Sequence, residues 1–365
     1  MRVGIIGLPY TGKTTIFNAL TAIDVEEQAH QDRGSEEDHP YSDKPSIRVI
    51  KVPDERINIL SRIFNPRKIT LANITFIDIP GIGIGDEKGG EGRRRYLQYI
   101  RDVDILIHVV GLFNDPDSLT PDRDIDTIEM ELILTDLEMI ENRLKRIEKG
   151  SRGSDKKGLE EESILLKRCK ETLETEKPLR ILKFSPAESI LLKGFQFLSI
   201  KPTLIILNIN EDGMRRDSDI IKKCIEKASQ LDTTFTKLCG KIEMEISQLR
   251  EGEREEFLKD LGLSGSCLSR ISKTLYEISV LISFFTVVKG EVKVWTIEKG
   301  TNALDAAGVI HSDMRRGFIR AEVIGYDDLL MCGSLAEGRN KGLLRLEGKE
   351  YIVKEGDIIN FRFNI

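Results

Sequence analysis

Short apolar runs separated by amphipathic stretches dominate the first two hundred residues. Residues 3–6, 74–77, 105–110 and 204–207 are rich in Ile, Val and Leu and lack polar alternation. That is the pattern of strands buried on both faces of a mostly parallel sheet. Residues 7–14 form a glycine-bearing turn and 15–20 open a helical pattern, so the chain begins strand, loop, helix. Between residues 125 and 147, Ile133, Leu137, Ile140, Leu144 and Ile147 are spaced 4, 3, 4 and 3 apart. This is the spacing of a coiled-coil seam, which a buried pair of globular helices would share. After a polar break at 150–158 it resumes with Leu159, Leu166, Cys169 and Leu173, and the two halves are expected to pair as an antiparallel helical hairpin inserted in the α/β core. From residue 292 the texture changes to short β-type runs (292–297, 319–323, 351–353, 358–363) around one helical segment at 304–310, a small β-rich domain. The expected division is a nucleotide-binding core at 1–122 and 200–280, a helical insertion at 123–199 and a C-terminal domain at 281–365.

Composition narrows the class without changing that picture. The chain has 365 residues, 40% hydrophobic and 32% charged, with 11 prolines, which fits a multidomain globular protein and excludes global disorder. Net charge is −6 (55 basic, 61 acidic), so no basic surplus marks a nucleic-acid binder, and no DNA specificity is evident. Seven acidic residues between Glu26 and Asp43 face one base, Arg33. The five cysteines show no C-x-x-C pair, and no apolar run approaches the length of a membrane span. A cytoplasmic protein that neither spans nor needs a membrane is expected.

Chemistry is concentrated in three loops. Gly7-Leu8-Pro9-Tyr10-Thr11-Gly12-Lys13-Thr14 matches G-x-x-x-x-G-K-[ST] between a strand and a helix. Such a loop turns successive N–H groups toward phosphates, its Lys neutralises β/γ charge and its Thr offers a hydroxyl to Mg²⁺. Gly7, Tyr10, Thr11, Gly12, Lys13, Thr14 and Thr15 are therefore the candidate phosphate-binding residues. Asp78-Ile79-Pro80-Gly81 follows a second buried strand and fits D-x-x-G, with Asp78 and Thr14 as metal candidates and Gly81 facing the γ-phosphate. Ile82 comes next, where Ras-like switches carry a water-orienting glutamine. Asn208-Ile209-Asn210-Glu211 stands where guanine-specific proteins have N-K-x-D. Its carboxylate is one methylene longer and its stacking Lys is replaced by Ile209. His108, inside the run 105–110, reads as a satisfied core histidine.

These motifs, with Cys239-Gly240-Lys241-Ile242-Glu243 and the C-terminal stretches Gly308-Val309-Ile310-His311-Ser312-Asp313, Gly317-Phe318-Ile319-Arg320-Ala321-Glu322 and Leu346-Glu347-Gly348-Lys349-Glu350-Tyr351-Ile352-Val353, resemble the Obg-like ATPase family, also called the YchF type. The resemblance covers nearly the whole chain. It implies an α/β P-loop GTPase-type domain with a mostly parallel sheet, a coiled-coil insertion and a C-terminal β-grasp-like TGS domain. It further implies binding and slow hydrolysis of ATP, often in preference to GTP, with Asn208, Glu211 and Gly240 around the base, and association with the ribosome or RNA. Several positions depart from the family pattern. Tyr10 replaces an Asn linked to a monovalent cation, the first switch around Ser42 and Asp43 is one residue shorter, Arg93-Arg94-Arg95 replaces Leu-Gly-Asn, and the loop from Phe113 to Asp124 lacks a His-Val-x-Gly segment. No general base is assigned. The expectation is a slow Mg²⁺-dependent ATPase, with GTP left open, and the alternative is a nucleotide-dependent binding module whose hydrolysis is lost. In the C-terminal domain 12 basic residues balance 12 acidic ones, so RNA recognition there is expected to use the local set Arg315, Arg316 and Arg320.

Overall fold

A computed structural model describes residues 1–21, 45–80, 91–113, 120–150, 156–215, 219–288 and 290–364. In chain order its elements are β1 (Arg2–Ile6), α1 (Lys13–Thr21), β2 (Ser46–Lys51), α2 (Glu55–Phe64), β3 (Lys68–Thr70), β4 (Asn73–Asp78), α3 (Glu91–Arg101) and β5 (Ile105–Leu112). Two long helices follow, α4 (Pro121–Gly150) and α5 (Lys156–Glu174), then α6 (Pro186–Lys193), β6 (Thr203–Ile209), α7 (Asp219–Gln230), β7 (Thr234–Leu238), α8 (Gly240–Gln248), α9 (Glu251–Asp260) and α10 (Cys267–Ile278). The C-terminal part holds β8 (Leu281–Val288), β9 (Glu291–Glu298), α11 (Ala303–Ile310), α12 (Ser312–Arg316), β10 (Phe318–Ile324), α13 (Tyr326–Cys332), α14 (Leu335–Asn340), β11 (Arg345–Glu347) and β12 (Ile358–Phe363). Contacts divide the chain into two compact units, Met1–Val49 with Thr75–Cys267, and Ile50–Ile74 with Leu268–Ile365.

The first unit is built on a sheet of order β2-β4-β1-β5-β6-β7. β1 pairs in parallel with both β4 and β5, β5 with β6, and β6 with β7. Every residue of β6 and nearly all of β5 are buried, as the unalternated apolar runs require. The helical hairpin forms at the expected seam. Ile133, Ile140, Leu166, Cys169 and Leu173 are buried in one cluster, with Leu137, Leu144 and Ile147 packed against it. Its flanks carry a bidentate pair from Arg143 to Glu162 (2.6 and 2.8 Å) and a single hydrogen bond from Lys170 to Glu141 (2.9 Å).

In the second unit the sheet order is β11-β10-β12-β8-β9-β3, and the sheet is mixed. β8 and β9 form an antiparallel hairpin, β10 is antiparallel to β11 and β12, and β12 runs parallel to β8. Residues 351–353, expected as a strand, make only an isolated bridge from Ile352 to Asn302. The structure also groups residues 50–74 and 268–280 with the C-terminal residues, so this unit is larger than 281–365. The cause is visible in the packing. β3 adds to β9 in parallel register, Lys68 opposite Glu291 to Thr70 opposite Lys293, and Ile57 and Leu60 of α2 share a core with Phe285, Val292 and Ile324. Nothing in the half-exposed sequence of α2 and β3 announces a partner more than two hundred residues away.

Candidate functional site

The loop between β1 and α1 has the conformation its glycines allow. Gly7 (φ 150°) and Gly12 (φ 85°) lie in the left-handed half of the backbone map, and a Cβ would meet Val109 O at 2.3 Å on Gly7 and Asn208 Nδ2 at 2.2 Å on Gly12. Tyr10 also has positive φ (64°), costly for a bulky residue, and it is 89% exposed. The Thr11 hydroxyl and the Lys13 ammonium both donate to Leu8 O, at 3.0 and 2.8 Å, and close the turn from within. Thr15 follows on the first turn of α1, beside Gly240.

Lys13, Thr14 and Asp78 converge at the C-terminal ends of β1 and β4. The Thr14 hydroxyl donates to Asp78 Oδ2 at 2.8 Å, joining two side chains 64 residues apart. Burial lowers the Lys13 pKa, with the Asp78 charge opposing the shift. Burial likewise raises the Asp78 pKa, against the Thr14 hydrogen bond and the Lys13 charge. A partly buried cation, a hydroxyl and a carboxylate thus stand at the mouth of a helix N-terminus, the donor set for a phosphate and a hard cation. No group of three or more His, Cys, Asp or Glu able to cage a metal occurs among the described residues.

Asn208 acts as a strut. Its side chain is buried, its Nδ2 donates to Thr11 O at 3.1 Å, and its Oδ1 accepts from the Gly240 N–H at 2.9 Å. It therefore ties the phosphate loop to the start of α8. Ile209, at the position where guanine-specific proteins carry a stacking Lys, is buried with Ile205 and Leu207 and presents nothing to a ligand. Glu211 is exposed and accepts from Lys241 Nζ at 3.0 Å. Gly81, Ile82, the acidic tract from Glu26 to Asp43 and residues 114–119 lie outside the described residues.

A buried polar network went unnoticed in the sequence. Arg180 donates from Nε to Leu231 O (2.9 Å), from Nη1 to Ser199 O (3.3 Å) and from Nη2 to Glu129 of α4, with which it forms a buried ion pair. Asp136, two turns further along α4, accepts from the N–H groups of Leu198 (2.9 Å) and Ser199 (2.8 Å) and from the Ser199 hydroxyl (2.7 Å). The only sequence signal was a Glu and an Asp on the apolar face of a helix. His108 is fully buried, as expected, but neither ring nitrogen has a hydrogen-bond partner among the described residues. Burial, helped by the charges of Arg180 and Lys13, pushes its pKa down to about 3, so the ring stays neutral. In the second unit, Arg315 pairs with Asp305 (2.8 Å) and Arg316 with Asp313, so two of the three arginines expected to meet RNA already have acidic neighbours. Arg93 of the basic triplet pairs with Glu131 (2.5 Å).

Comparison with known proteins agrees with this geometry. A family model described as "50S ribosome-binding GTPase" matches residues 2–143, and the YchF C-terminal model, described as a protein of unknown function, matches residues 281–364. The "Ribosome-binding ATPase YchF" of Bacillus subtilis is 39% identical over 375 residues, covering 100% of both chains. The protein of the same name from Pasteurella multocida is 37% identical, covering 100% of this chain and 99% of its own. Among solved structures, that of the Schizosaccharomyces pombe YchF GTPase superposes with a TM-score of 0.83 at 28% identity, over 99% of this chain and 97% of that one.

Proposed function

The chain belongs to the YchF family, and from that premise we propose that it is a cytoplasmic nucleotide switch that binds ATP, in preference to GTP, hydrolyses it slowly with Mg²⁺ and acts at the ribosome. The observation that carries the reading is the meeting of Lys13, Thr14 and Asp78 at the mouth of α1. Lys13 exchanges its Leu8 carbonyl for phosphate oxygens, and the N–H groups from Tyr10 to Thr15 face the same charge. The Thr14 hydroxyl and the Asp78 carboxylate fit Mg²⁺, which takes few protein ligands, all oxygen. Held by Thr14 and Asp78, Mg²⁺ would supply positive charge to offset that of the phosphates. Asn208 holds the phosphate loop and Gly240 in register, while Glu211 and Gly240 border the base. Gly81 is assigned to the γ-phosphate by its motif. Residues 123–199 are read as an insertion in the nucleotide-binding part and 281–365 as a TGS domain.

Slow turnover follows from what the site lacks. Ile82 carries no group that orients water, and no described side chain stands as a general base. Single-turnover hydrolysis of ATP by the purified protein, with and without ribosomes, tests this. The expected intrinsic rate is about 10⁻⁴ to 10⁻³ s⁻¹, rising with ribosomes. A protein that binds ATP yet never turns it over would instead be a nucleotide-dependent binding module. Turnover near about 1 s⁻¹ without a partner, far above intrinsic switch rates, would mean that an unassigned group positions the water.

A further inference from the structure

One contact beside the base site has no part in phosphate chemistry. Glu211 follows β6 and Lys241 is the second residue of α8, 30 positions later, yet the Lys241 ammonium donates to Glu211 Oε1 at 3.0 Å. The two loops are thus joined twice. Buried Asn208 holds Gly240 from below, and the exposed pair Glu211–Lys241 spans the same gap at the surface. The deeper tie fixes the architecture, which leaves the outer one free to affect the ligand.

The chemistry of the base defines that effect. Guanine presents two adjacent donors, N1–H and N2–H₂, and a carboxylate recognises them when both oxygens are available and its charge is unopposed. Adenine has no hydrogen on N1 and makes no such demand. With an ammonium on Oε1, Glu211 has one oxygen engaged and its charge offset.

We propose that Lys241 is a specificity-determining residue: by engaging Glu211 it disables the carboxylate as a guanine acceptor and tilts the site toward adenine nucleotides. The inference rests on the base-site reading given above. It makes the Glu211–Lys241 pair, rather than the length of Glu211 alone, the discriminating element. The hydrogen bond to Glu211, with the Glu211 charge behind it, raises the Lys241 pKa, so the ammonium stays charged at neutral pH. Exposed pairs add little to stability, so Lys241→Met is expected to fold normally.

Equilibrium titration with Mg²⁺-ATP and Mg²⁺-GTP on the full chain, for wild type, Lys241→Met, Glu211→Gln and the double variant, decides it. Lys241→Met should shift the ratio of the two dissociation constants toward GTP by about three-fold or more, the range of one exposed charge pair. In the Glu211→Gln background the same substitution should shift it less than about two-fold. An unchanged ratio in Lys241→Met, a shift toward ATP, or an equal shift with Glu211 already neutralised overturns the proposal. Wild-type protein that binds neither nucleotide overturns the base-site reading itself, a distinct outcome.

Discussion

Lys13 is the residue on which most of the proposed phosphate chemistry depends, and its surroundings support that role. It is partly buried, held to Leu8 O and set beside Asp78, so an incoming triphosphate meets a cation already positioned and partly desolvated. Lys13→Ala is expected to weaken ATP binding by about 1.5–3 kcal/mol, ten-fold or more, with the fold intact. Titration of the variant against wild type checks this. At this scale the sequence is highly legible. Gly7, Gly12, Lys13 and Thr14 stand out because phosphate chemistry calls for these residue types at fixed spacing along one turn, and Asp78 because it ends a buried strand in D-x-x-G. Asn208 shows in the sequence as a motif residue but not as a strut. Its partners, Thr11 and Gly240, are 197 and 32 residues away, and no local pattern encodes such a strut. Tyr10 was legible as a departure, but its positive φ and its exposure were not.

Among the elements, the helical hairpin is the most instructive. Its seam was readable because 4-3 spacing is a direct consequence of helix geometry, whereas the way its root is anchored was not. That anchoring runs through Arg180, Glu129, Asp136 and Ser199, polar groups buried at positions where an apolar stripe predicts hydrocarbon. Arg180→Ala leaves Glu129 charged and buried without its partner, and is expected to destabilise the protein by about 3–5 kcal/mol in urea denaturation. Asp136 makes a further prediction. Burial pushes its pKa up to about 6, above the unfolded value of about 3.9, so the native state binds its proton first. Stability from that proton is present below about pH 4 and is lost as pH rises through about 6. Denaturation of wild type and Asp136→Asn across that window should show wild type gaining on the variant toward acid, by up to about 1.4 kcal/mol per pH unit. A constant difference would mean that Asp136 titrates normally.

The whole molecule consists of two compact units with separate cores, the first carrying the candidate nucleotide site and the second a balanced charge of 12 basic and 12 acidic residues from Leu281 to Ile365. Sequence pattern located the change of texture at the C-terminal domain, but not the return of residues 50–74 to it, because β3 is three residues long and its pairing with β9 leaves no periodicity to read. No described helix is long and apolar enough to cross a membrane. Nucleotide capture through Lys13, Thr14 and Asp78 is tested most directly by equilibrium titration of the purified chain with ATP, with Mg²⁺ and with a chelator in its place. Saturable binding that weakens ten-fold or more when Mg²⁺ is withdrawn, about the loss of one charge-assisted contact, is the predicted result. Absence of saturable binding, or equal affinity with and without the ion, would contradict it.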